Sequence, residues 1–89
     1  MGHKPQAQLA KEIADAKVVI KVGAKYSHYK DQTKTYEVLD LAVLEADDSV
    51  CVLYQAQYGD HYTFVRPVSN WLETVIVEGE PVPRFSLLS

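Results

Sequence analysis

A chain of 89 residues, 47% hydrophobic, is long enough for one domain with a modest core, and no apolar run approaches the ~18 residues that span a bilayer. The one cysteine, Cys51, excludes an internal disulfide, and the first twelve residues carry no signal-type apolar stretch, so the expected compartment is the cytoplasm. Net charge is −3, but residues 1–35 carry seven lysines against three acids, while residues 36–89 carry two arginines against nine acids. A nucleic-acid binder presents a dense basic face, and the acid-rich second half argues against that partner.

Residues 5–16 read as a helix. Pro5 suits a first turn, and Leu9, Ile13 and Ala16 recur at helical spacing beside Ala10 and Ala14. The stripe is narrow and alanine-rich, so the helix needs a surface to lie on, either its own sheet or a second copy of the chain. From Lys17 the period changes: Val18, Ile20, Val22, Ala24 and Tyr26 alternate with polar or small residues, which predicts a strand. Lysines at 17, 21 and 25 also fit a helix, but the β-branched run and Gly23 favour the strand.

Residues 31–34 are expected to turn, and residues 36–45 form a well-covered strand. Residues 46–49 make a hairpin turn, with aspartate and serine bonding their own backbone. Val50, Val52, Tyr54, Ala56 and Tyr58 alternate as the clearest strand of the chain, Gly59 and Asp60 turn it, and residues 62–66 return before Pro67 ends the ladder. Ser69 or Asn70 is placed to cap a single helical turn carrying Trp71 and Leu72. Residues 74–77 form another strand, residues 78–80 a turn, and Pro81 with Pro83 confines the remainder to an edge. The whole predicts a mainly β domain: a small antiparallel, SH3-like barrel or bent sheet with an added N-terminal helix and one late helical turn. Its expected division is an extension over residues 1–22, helix and lead-in strand, and a β body over residues 23–89.

Six segments in order, "HYK" at 28–30, "YEVL" at 36–39, "VLYQAQYGD" at 52–60, "VRP" at 65–67, "WLETV" at 71–75 and "VPRF" at 82–85, resemble the short bacterial proteins grouped as domain of unknown function 1653. The resemblance covers roughly residues 23–85 and implies a small β fold of SH3-like type, with no established activity to carry over. Three departures stand out. The family follows its HYK with a glycine and a short turn, where this chain has a longer DQTKT. Gln55 stands where an arginine is common, and the segment before Val18 lies outside the match.

No catalytic residue, metal ligand or cofactor is predicted. His3, His28 and His61 follow no metal-ligand spacing, and there is no phosphate loop, cysteine pair or nucleophile elbow. Cys51 alternates with Leu53 in a strand and is expected to be a buried, inert thiol. The polar-aromatic residues point instead to binding, because tyrosine, tryptophan and arginine give large contact area and a planar fork for anions. Tyr26, Tyr36 and Tyr54 are expected in the core, with Tyr29 turned inward and His28 outward. The candidate ligand residues are His28, Tyr58, Arg66, Trp71 and Arg84. Trp71 has the structural alternative of plugging one end of the sheet, and Arg84 that of pairing with Glu73, Glu78 or Glu80. Arg66 shares a strand face with Tyr62 and Phe64 beside a strand end. Three functions are open at this point: a module gripping a small anionic molecule or peptide at this rim, a small enzyme with His28 as general base and Arg66 stabilising negative charge, and a homodimer built through the N-terminal helix with no ligand site.

Overall fold

The computed structural model describes residues 3–88. Helix α1 (Gln6–Val19) leads into strands β1 (Lys25–His28), β2 (Asp31–Leu44), β3 (Ser49–Ala56) and β4 (Thr63–Pro67), the single turn α2 (Val68–Trp71), and strands β5 (Thr74–Val77), β6 (Glu80–Pro83) and β7 (Phe85–Leu87). Five strands form one antiparallel sheet in the order β4-β3-β2-β1-β7, and β5 with β6 forms a separate hairpin. β4 and β7 remain its edges, so the sheet does not close into a barrel and the bent-sheet form of the expectation is the one realised. No helix among the described residues is long and apolar enough to cross a membrane.

The long strand β2 makes the sheet possible, pairing with β1 through its first half and with β3 along most of its length. The ladder to β3 jumps from Val38↔Tyr54 to Asp40↔Leu53, leaving Leu39 as an extra, bulged residue. Such a bulge bends and twists its strand. In the β5–β6 hairpin, Glu78 and Gly79 both adopt positive φ (51° and 81°), the conformation of the tight turn that matches strand twist. Pro81 and Pro83 sit in a strand with one partner, where their missing N–H groups interrupt no second ladder.

Two expectations over the first half are corrected. The lead-in strand at residues 18–26 is not formed up to Ala24: α1 continues to Val19, and the Ile20 N–H still bonds to the Ala16 carbonyl at 2.8 Å. A strand would turn Val18, Ile20 and Val22 to one face. Instead Ile20 is fully buried while Val18 and Val22 are 68% and 45% exposed. Ile13, Ala16 and Ile20 form the helical stripe that packs on the sheet's own core, and this docking overrides the β propensity of the valines. The second correction is the turn at residues 31–34, which lies inside β2; the chain reverses between His28 and Asp31, so DQTKT extends a strand rather than a loop.

The core joins Ile20, Tyr26, Val38, Leu41, Val52 and Tyr54 to Trp71 and Phe85. Trp71 stacks on Phe85 with centroids 3.7 Å apart and meets Tyr26 and Tyr54 edge-on at 5.4 and 5.0 Å. These are favourable aromatic geometries for a small core. Cys51 is buried and unpaired. Asp48 in the β2–β3 turn is also buried, and it accepts hydrogen bonds from His3 Nδ1 (2.9 Å) and the Lys4 N–H (2.7 Å), fastening the chain ahead of α1 to the sheet. Those bonds hold its carboxyl below the usual range.

Candidate functional site

His28 is the last residue of β1, Arg66 the penultimate residue of β4, and Arg84 the residue between β6 and β7; Tyr58 lies in the β3–β4 connection. All four line one concavity of about 370 Å³, with Tyr36, Tyr54 and Phe85 as its aromatic wall and Lys30, Asp31 and Lys34 around it. The fifth candidate, Trp71, is not there. It is buried beneath, and Phe85, which it stacks on, carries its packing to the site. Tyr29 also departs from its expected place: it is half-buried and lines a smaller recess with Ser27, Gln32 and Val82, because the His28–Asp31 reversal turns it from the core.

Both arginines are held by protein groups. Arg66 Nε donates to Tyr54 Oη at 3.2 Å and Nη1 donates to Asn70 Oδ1, and the guanidinium carbon sits 5.2 Å from the Phe85 ring centroid. The Asn70 amide in turn donates to Glu73 Oε1 at 2.8 Å, and the same oxygen accepts from Arg84 Nη2 at 3.1 Å. The expected capping role for Ser69 or Asn70 is therefore replaced. No side chain caps α2, and Asn70 links the two guanidinium groups through Glu73. Arg84 is further fixed by its backbone, whose N–H bonds to the Glu73 carbonyl and whose carbonyl accepts from the Tyr29 N–H. Its Nε is covered from water with no hydrogen-bond partner among the described residues.

The two half-buried tyrosines share a hydrogen bond, Tyr36 Oη to Tyr58 Oη at 2.7 Å, with ring centroids 5.5 Å apart at 83°. Burial, and then the Tyr58 hydroxyl, push the Tyr36 phenol up to about 12. Lys34 Nζ stands 5.0 Å over the Tyr58 ring, a cation–π placement. His28 packs edge-on against Phe85 at 4.9 Å, and its Nδ1 accepts from the Lys30 N–H at 3.2 Å, which puts the ring's proton on Nε2.

Burial, followed by the charges of Arg66, Arg84 and Lys30, lowers the His28 pKa from its ordinary value. The imidazole is thus neutral at pH 7. Because the folded value lies below the unfolded one, the neutral ring's contribution is intact above pH 6.5 and is lost as pH falls from there through the lower folded value. In an NMR titration, His28 is expected to protonate below the free-imidazole value, and Arg66→Gln to raise its midpoint while burial and the Arg84 and Lys30 charges keep it depressed. Lys34 and Asp31, the other charged groups around the concavity, stay in place in that variant.

Sequence reading missed Tyr36, Lys34 and Asn70 as parts of this site. Lys34 and Tyr36 are two apart on β2 and share a face, a signal hidden once residues 31–34 are assigned to a turn. A second groove, about 440 Å³, runs between α1 and α2 past Ala16, Val19, Val50, Val68 and Leu72. Of its acidic residues, Glu12 pairs with Lys4 at 2.9 Å and Asp15 with Lys11 at 2.8 Å, so it offers apolar surface without free charge.

Residues 24–87 match the family described as protein of unknown function (DUF1653). The fold is similar to the crystal structure of a DUF1653 protein from Bordetella bronchiseptica, with 33% sequence identity, a TM-score of 0.63, and coverage of 72% of this chain and 82% of that one. No curated protein matches the chain. The family match spans well over half of the 89 residues and includes all four side chains of the concavity, and this chain belongs to the DUF1653 family.

Proposed function

We propose that this domain is a binding module that grips a small anionic molecule in the concavity lined by His28, Tyr58, Arg66 and Arg84. The observation that carries this reading is a charge excess. Lys30, Lys34, Arg66 and Arg84 surround a space whose nearby carboxylates are Asp31 and the Glu73 that pairs with Arg84, in a chain whose net charge is −3. Arg66 is anchored by the neutral acceptors Tyr54 and Asn70, which fix its fork without neutralising it. A guanidinium positioned in this way suits planar or tetrahedral oxyanions.

The alternative of His28 as general base is disfavoured by its hydrogen bonding. With Nδ1 accepting from Lys30 and the proton on Nε2, the ring offers a ligand a donor. An assembly role for α1 has less support, because its Ile13–Ala16–Ile20 stripe already packs on its own sheet.

The test is an NMR titration of the full chain with inorganic phosphate, following the arginine Nε–H and His28 ring signals. Binding is expected to shift the Arg66 and His28 signals together. Arg66→Gln, checked for retained fold by its amide spectrum, is expected to weaken binding by about ten- to a hundredfold, the size of a lost charge-assisted hydrogen bond of ~1.5–3 kcal/mol. Absence of any shift at millimolar phosphate, sulfate and benzoate overturns the reading.

A further inference from the structure

Resting on that reading, we infer that the ligand is a dianionic phosphate monoester of a small aromatic or planar alcohol. The first argument is charge. Four cations and two carboxylates leave two positive charges at the concavity, which a monocarboxylate neutralises by half and a phosphate monoester, near −2 at pH 7, matches.

The second argument is donor number. Arg66 has Nη2 and one Nη1 proton beyond those given to Tyr54 and Asn70; Arg84 keeps its Nη1 group beyond the bond to Glu73; His28 adds its Nε2 proton. Within the Tyr36–Tyr58 pair one hydroxyl donates to the other, so the second hydroxyl's proton is left for a ligand. These donors exceed what the two oxygens of a carboxylate accept, and they suit the three terminal oxygens of a phosphate monoester.

The third argument is the remaining space. A cavity of about 370 Å³ lies at the lower end of small-molecule sites and is much larger than a bare oxyanion. Its other boundary is aromatic, with Tyr36 and Tyr58 nearly perpendicular and Lys34 over the Tyr58 ring. The ring edges of such a wall contribute contact area to a flat organic group that a bare oxyanion would leave unused.

The test compares phenyl phosphate, inorganic phosphate and benzoate by NMR titration of the full chain at pH 7. Phenyl phosphate is expected to bind at least tenfold more tightly than either of the others, with shifts at Arg66, His28 and both tyrosine rings. Lys34→Gln alters an exposed residue outside the core, and it is expected to weaken phenyl phosphate several-fold more than benzoate. Benzoate binding as tightly as phenyl phosphate overturns the dianion assignment and leaves the anion module standing. Equal affinity for phenyl and inorganic phosphate overturns the aromatic part, and tighter binding of a phosphotyrosyl peptide than of phenyl phosphate moves the ligand from small molecule to protein. Failure of all the anions to bind removes this inference together with the proposed function.

Discussion

Trp71→Ala is expected to destabilise the domain by about 3–5 kcal/mol, the range for truncating a buried large aromatic. Domains of this kind have ~5–15 kcal/mol in total, so the variant approaches the point where much of the chain is unfolded at physiological temperature. The loss follows from position. Trp71 is fully covered, stacks face to face on Phe85 and touches Tyr26 and Tyr54 edge-on, so removing it opens a cavity bounded by three rings that cannot collapse without moving three strands. Urea denaturation with tyrosine fluorescence and far-UV circular dichroism measures it. Anion binding is expected to weaken in the fraction that stays folded, because Asn70 and Glu73, which hold the arginines, flank this residue. A loss below ~1 kcal/mol would contradict the packing described.

Ile20→Ala is expected to cost about 2–5 kcal/mol, while Val18→Ala, two residues earlier, stays within ~0.5 kcal/mol of the parent. Ile20 is fully buried where α1 meets the sheet, and Val18 faces outward. The contrast separates a docked helix from a strand, in which both residues would face the same way. Amide hydrogen exchange adds the location of the effect. If residues 1–22 are an extension applied to a body at residues 23–89, Ile20→Ala accelerates exchange through α1 while β2 and β3 remain protected. Uniform acceleration would instead make helix and sheet one cooperative unit.

The strands were legible where alternation coincided with β-branched and aromatic residues. Thr74–Val77 is found where the pattern puts it, the run beginning at Val50 forms a strand that ends at Ala56, two residues before Tyr58, and the prolines at 81 and 83 fall on a strand with one partner. Reading failed where two periods fitted the same residues. Lysines at 17 and 21 and isoleucine at 20 satisfy helix and strand alike, and only burial of Ile20 against the distant Trp71–Phe85 cluster decides between them. Closure was not legible either, since it depends on whether β4 finds β7, a pairing no local pattern encodes. At the site, strand ends point to His28, Arg66 and Arg84, and these three line one concavity with Tyr58. Of the bridge between the arginines, the Arg84–Glu73 pair is the structural alternative named from the sequence, whereas the Asn70 bonds to Arg66 and Glu73 are hidden once residues 69 and 70 are assigned to capping.

The surplus residue at Leu39 resets the parity of β2. With an uninterrupted ladder, the pairing of Val38 with Tyr54 would carry Asp40 opposite Val52, driving a carboxylate into the driest part of the protein. The offset instead keeps Val38 and Leu41 both inward although they are three apart, and it leaves Asp40 outside with its carboxylate accepting from the Leu41 N–H at 2.8 Å. One unpaired position thereby reconciles two sequence phases in a single strand, the earlier one serving the Tyr36 wall of the concavity and the later one the hairpin to β3.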